Sequence, residues 1–134
     1  MILQPFVENA ILHGIAALKD GKGVILIRFD REGDAVLCSV QDNGLGMGKS
    51  LRNKEQKDHE SKSRAITQDR LDIITQLTGK PTALIFENVE TGGTKVTIRL
   101  PIDLWYRVIF FKEKDVILYQ NKNYERFTNR DSDF

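Results

Sequence analysis

Apolar residues recur at Leu3, Val7, Ile11 and Leu18, a helical spacing that predicts one amphipathic helix from about Pro5 to Lys19. Pro5 suits a first turn, where its missing N–H has no intrahelical partner to lose, and Asp20-Gly-Lys-Gly23 ends the helix. The pattern then changes. Val24–Phe29 and Ala35–Val40 are β-rich runs joined by Asp30-Arg-Glu-Gly-Asp34, whose glycine supplies a turn, so they are expected to pair antiparallel. From Gly44 to about Ser63 the chain is first glycine-rich and then dense in charged and amide residues with almost nothing to bury. A mobile loop is expected there, of a length used for lids or disordered inserts. A second helix is expected from Thr67, as its cap, to about Leu77, with Leu71, Ile74 and Leu77 as its apolar face and Gly79 and Pro81 as its stop. Two strands, Thr82–Asn88 and Thr94–Leu100, flank the tight turn Glu90-Thr-Gly-Gly93. Beyond Pro101, Trp105–Phe111 and Val116–Tyr119 read as a hairpin across Lys112–Asp115, and Asn121–Phe134 as a fraying tail.

At 134 residues and 15.3 kDa the chain has the length of one domain with a real core. Its 20 Lys+Arg against 19 Asp+Glu give a net charge of +1, which excludes the strong field that nucleic acid or an anionic membrane surface would call for. No window approaches the roughly 18 consecutive apolar residues of a membrane span, and no basic-then-apolar leader opens the chain. The single cysteine, Cys38, forms no internal disulfide, fits a reducing compartment and lies where a small buried side chain belongs.

Three groups of residues carry chemistry. Asn9 and His13 stand at i and i+4, on the helical face expected opposite Val7 and Ile11. An amide oxygen is a hard, neutral ligand suited to Mg²⁺, and an imidazole N–H can bond a phosphate oxygen, although the same pair alone also describes a solvated polar face. Asp42-Asn-Gly-Leu-Gly-Met47 puts a carboxylate at a strand end before a glycine loop. Such a carboxylate can accept from the amino group of adenine, which guanine lacks at that ring position, while Gly44 and Gly46 admit a ligand close to the backbone. By itself Asp-Asn-Gly is also an ordinary turn, as Gly92-Gly-Thr94 is an ordinary hairpin.

In their order, Leu3-Gln-Pro-Phe-Val-Glu-Asn-Ala-Ile-Leu-His-Gly14, Asp42-Asn-Gly-Leu-Gly-Met47 and Gly92-Gly-Thr-Lys-Val-Thr-Ile-Arg-Leu-Pro101 resemble the nucleotide-binding domain of the GHKL superfamily. The first segment resembles more narrowly the sensor histidine kinases related to autolysin-regulating kinases. The resemblance spans about residues 2–102. It implies a Bergerat-type α/β sandwich, with helices on one face of a mixed, mostly antiparallel sheet, lacking an early helix and strand of the full domain. That makes 1–102 an ATP-binding domain and 103–134 a C-terminal extension.

The resemblance also implies roles. Asn9 would coordinate Mg²⁺ on the ATP phosphates with His13 beside them, and Asp42 and Thr94 would hold adenine, flanked by Gly44 and Gly46. Where the family has a second glycine box, Ser61-Lys-Ser-Arg-Ala-Ile-Thr67 stands instead: Ser61, Ser63 and Thr67 can supply hydroxyls and Lys62 and Arg64 charge for phosphate at a helix N-terminus, with Ser63 as the site residue, and a solvated Lys/Arg-rich lid is the equal alternative. Pro5 occupies the position of the glutamate that activates water in the hydrolysing members, so little intrinsic ATP hydrolysis is expected.

The function implied is the cytoplasmic catalytic domain of a two-component protein histidine kinase. It would present Mg-ATP to an acceptor histidine outside this chain, with a dimerisation domain and a response regulator as partners through a homodimeric parent. Alternatives are an anti-sigma-factor-type serine kinase, a conformational ATPase, and a degenerate binding module of the same fold.

Overall fold

The computed structural model describes residues 2–15, 18, 22–47 and 54–104, together with the backbone of 115–120 and 123–128. Helix α1 (Gln4–Asn9) carries Pro5 in its first turn and runs straight into a π-helical segment, Ala10–Ile15. Its buried stripe is Leu3, Phe6, Ala10 and Gly14, with Val7 and Ile11 half-buried. The helical period is as expected, but the stripe is turned by one residue. Phe6 takes the core position because an aromatic ring buries more area than a valine, and it meets Phe86 edge-on, with centroids 5.8 Å apart at 68°. Asn9 therefore borders the buried stripe instead of facing away from it.

Strands β1 (Ile25–Glu32), β2 (Ala35–Asp42), β3 (Ala83–Asn88) and β4 (Thr94–Pro101) form one sheet in the order β1-β2-β4-β3. Among the described residues every neighbouring pair is antiparallel, which agrees with the α/β fold and mostly antiparallel sheet expected. Side-chain alternation sends Ile25, Ile27, Val36, Cys38, Val40, Val96, Ile98 and Leu100 to one face, where Leu3, Phe6, Ala10 and Leu71 pack on them. Positions between them carry Arg28, Gln41, Lys95, Thr97 and Arg99.

The largest departure from the sequence reading is helix α2, which runs from Lys54 to Thr78 and replaces the expected loop up to Ser63. Lys54–Arg64 has no glycine, proline or β-branched residue, and most of its residues are strong helix formers. Extending a helix already anchored by packing needs no new nucleus. Glu60, Ser63, Arg64, Thr67, Leu71 and Ile74 make a continuous inward stripe. Thr67 is accordingly no cap. It lies mid-helix, buried, donating its hydroxyl to the Ser63 carbonyl at 2.9 Å. Leu77, expected on the apolar face, is 81% exposed. The helix stops as predicted at Gly79, whose N–H bonds Thr75 O at 2.9 Å.

Near the C-terminus β5 (Asp115–Gln120) pairs with β6 (Asn123–Thr128), closing at Gln120↔Asn123. Val116–Tyr119 is thus a hairpin strand as expected, but its partner β6 comes from residues expected to fray, and the predicted partner, Trp105–Phe111, lies outside the described residues. A two-residue spacing between β-rich runs favours this tighter pairing. No helix among the described residues is long and apolar enough to cross a membrane.

Candidate functional site

Asp42 closes β2 with its side chain on the helix-facing side of the sheet, and it is 7% exposed. Its Oδ1 accepts the N–H of Gly44 at 2.8 Å, which bends the chain into the glycine loop immediately after the strand. Asn43 holds the other side of this corner. Its Oδ1 accepts Val24 N at 2.7 Å and its Nδ2 donates to Lys22 O at 2.8 Å, so the amide extends the β1–β2 ladder by one rung.

Glycines around the corner are required by contact. A Cβ on Gly44 would overlap the carbonyl of Gly14, and one on Gly93 would overlap the carbonyl of Asp42. Gly46 (φ +79°) and Gly93 (φ +98°) also occupy backbone conformations that other residues adopt only with strain. Asn88, at the end of β3, accepts Met47 N on its Oδ1 at 3.0 Å and so ties the loop to the neighbouring strand. Val89 N bonds Gly93 O at 3.0 Å, closing the β3–β4 turn beside it.

Asn9, Asp42 and Thr94 meet in one open cleft. Phe6, Ala10, Val40, Val96 and Phe86 supply apolar walls, and Met47, Glu60 and Arg64 close it from the glycine loop and α2. Register explains the convergence. Asn88 pairs with Thr94, and Gln41 with Lys95, so Thr94 lies across from the end of β2 that carries Asp42. A slot with flat apolar walls, a buried carboxylate and a hydroxyl suits a heterocycle with an exocyclic amine. Among the described residues no three His, Cys, Asp or Glu side chains gather as a metal cage.

The remaining expected site residues stand elsewhere. His13 is half-buried in the π-helical segment and does not line the cleft. Gly44 packs on Gly14, and Gly46 shapes the loop. Ser63 lies well inside α2, where backbone N–H groups are committed to the helix ladder, so the helix N-terminus expected at that position is absent. The sequence did not single out Met47, Glu60 or Phe86 as lining residues, and Arg64, expected as a charge for phosphate, lines the cleft beside Phe86. Phe86 carried a usable signal, since a strand aromatic facing the same side as Val40 and Val96 follows from the predicted pairing.

Residues 1–104 match the family model described as histidine kinase-, DNA gyrase B- and HSP90-like ATPase. Sporulation kinase B of Bacillus subtilis (strain 168) is 31% identical over 114 residues, 76% of this chain and 24% of that protein. Sensor histidine kinase YpdA of Escherichia coli (strain K12) is 47% identical over 47 residues, 35% of this chain and 8% of that protein. The chain thus spans a quarter or less of the length of these two relatives. The Erythrobacter litoralis EL346 blue-light activated histidine kinase shares the fold, with a TM-score of 0.54 at 18% identity over 80% of this chain and 30% of that one.

Proposed function

The chain belongs to the histidine kinase-, DNA gyrase B- and HSP90-like ATPase family, and from that footing we propose that it is the ATP-binding catalytic domain of a two-component sensor histidine kinase. The observation that carries the reading is the meeting of Asn9, Asp42 and Thr94 in one cleft. The glycine-lined corner beneath them supports a tight fit, because side chains there would fill the space around the carboxylate.

In this reading Asp42 accepts the adenine amino group and Thr94 adds a hydroxyl beside it. Asn9 gives Mg²⁺ an amide oxygen, with ATP phosphates and water completing the shell, since this ion takes few protein ligands in nucleotide sites. His13, one turn on, lies outside the cleft lining, and in this reading it serves phosphates that extend past it. Phosphoryl transfer needs positioning and charge neutralisation more than covalent help. Pro5 at the position of the water-activating glutamate fits a domain that holds ATP without hydrolysing it. The γ-phosphate would pass to an imidazole of another domain of a cytoplasmic, dimeric parent and onward to a response regulator.

Titration of the full-length protein with a non-hydrolysable ATP analogue, with and without Mg²⁺, tests this. Saturable, Mg²⁺-dependent binding is expected. Asn9→Ala should abolish the metal dependence, and acid-labile phosphate should appear on the acceptor domain. Acid-stable phosphate would instead favour a serine kinase. One observation favours a degenerate module as the second reading, namely that Ser61–Thr67 sits within a continuous helix and offers no phosphate-binding N-terminus. Absence of saturable binding would put that reading first.

A further inference from the structure

We propose that Arg64 is a latch that competes with the base for the cleft, so that the amino-terminal half of α2 must release before a nucleotide seats; this rests on the nucleotide reading of the site. The Arg64 guanidinium carbon stands 3.8 Å above the centroid of Phe86, and Nη2 lies 3.8 Å from the Met47 sulfur in the glycine loop. Phe6 meets the same Phe86 ring edge-on. Phe6 of α1 and Arg64 of α2 thus meet on one ring of β3, and Arg64 also reaches Met47 of the glycine loop. The residues of α2 that are buried are Thr67 and Leu71, and amino-terminal to them Arg64 is the side chain seated on an aromatic face.

Register places this stack in the ligand's path. Phe86 pairs with Val96 and Val96 with Val40, making one row across the cleft floor, and Asp42 follows Val40 by two residues on the same face. A flat heterocycle anchored on Asp42 spreads over Val40 and Val96 towards Phe86, where the guanidinium lies. A cation on an aromatic face shifts an equilibrium by about 2- to 30-fold, enough to tax ligand binding without preventing it.

The test uses Arg64→Ala and Arg64→Gln in the full-length protein, with adenosine as a probe that carries no phosphate for Arg64 to attract. Adenosine should bind about 3- to 10-fold tighter to both variants than to the wild type. A residue that merely stabilises the fold gives no gain on removal. Amide exchange across residues 54–66 should quicken by a similar factor in both variants while 71–78 is unchanged, and Phe86→Leu should reproduce that quickening. Adenosine affinity that is unchanged or weaker in the variants, or exchange that is unchanged, overturns the latch. If the wild type binds neither adenosine nor the ATP analogue, the nucleotide reading fails, and the exchange measurement still decides whether Arg64 holds α2 down.

Discussion

Gly14 backs directly onto the carboxylate of Asp42. A Cβ at Gly14 would lie 2.7 Å from Asp42 Cγ, 2.8 Å from Oδ1 and 3.1 Å from Oδ2. The last residue of the helical motif is therefore glycine because the first residue of the glycine-loop motif needs its space, and the two segments form one structural unit. Gly14→Ala should rotate or push the carboxylate away and weaken ATP-analogue binding about tenfold, an overpacking cost of ordinary size. In an Asp42→Ala background the same change should cost nothing further, since the atoms it strikes are gone. Additive losses in that double-mutant cycle would disprove the relationship.

Asp42→Asn separates the turn from the ligand contact. Asparagine retains an Oδ1 for the 2.8 Å bond from Gly44 N, so the corner and the thermal midpoint should change little. One carboxylate oxygen becomes an N–H₂ donor, which would face the amino group of adenine. Affinity for the ATP analogue should fall by about 10- to 100-fold, the size expected for a hydrogen bond to a charged group, and the preference over the GTP analogue should shrink. Unaltered preference would remove Asp42 from base recognition.

Asn88 acts on the loop from outside the cleft. Asn88→Ala deletes the acceptor for Met47 N at 3.0 Å, so the glycine loop loses its hydrogen bond to the end of β3. A loss of about 1 kcal/mol in local stability is expected, seen as faster amide exchange at Met47 and a few-fold weaker ATP-analogue binding. Asn88→Asp keeps an acceptor and should restore most of both. If Met47 exchanges at the wild-type rate in the alanine variant, the contact is not what orders the loop.

The four strands of the main sheet, their turns and the corner after Asp42 are legible because they rest on local rules: alternation in Ala35–Val40, glycine at the turns, and a carboxylate placed before Gly44. What was not legible depends on packing between distant segments. Which of Phe6 and Val7 enters the core is settled by Phe86, far along the chain. The helical state of Lys54–Arg64 was masked because its inward stripe is polar and is satisfied by an arginine on an aromatic ring instead of by leucines. Asn43 reads as turn composition, yet its two amide bonds to Lys22 and Val24 extend a ladder that only pairing reveals.

Cys38 supplies the pH dependence. It is fully buried in β2, between Phe29 and Ile98, and burial pushes its thiol up from 9.0 to about 12. In the unfolded chain the thiol ionises near its ordinary value, so between about pH 9 and about pH 12 the unfolded state has lost a proton that the folded state keeps. The resulting stability is fully present below the unfolded value and is lost as pH rises through that window, with a limiting slope of roughly 1.4 kcal/mol per pH unit. Cys38→Ala should cost about 1 kcal/mol at neutral pH through lost packing, because the site is small and centrally placed. Its disadvantage should narrow as pH rises, since alanine has no thiol to ionise. Urea unfolding of both proteins from about pH 8 to about pH 10.5 reads the difference directly, and parallel stability profiles across that range would contradict it.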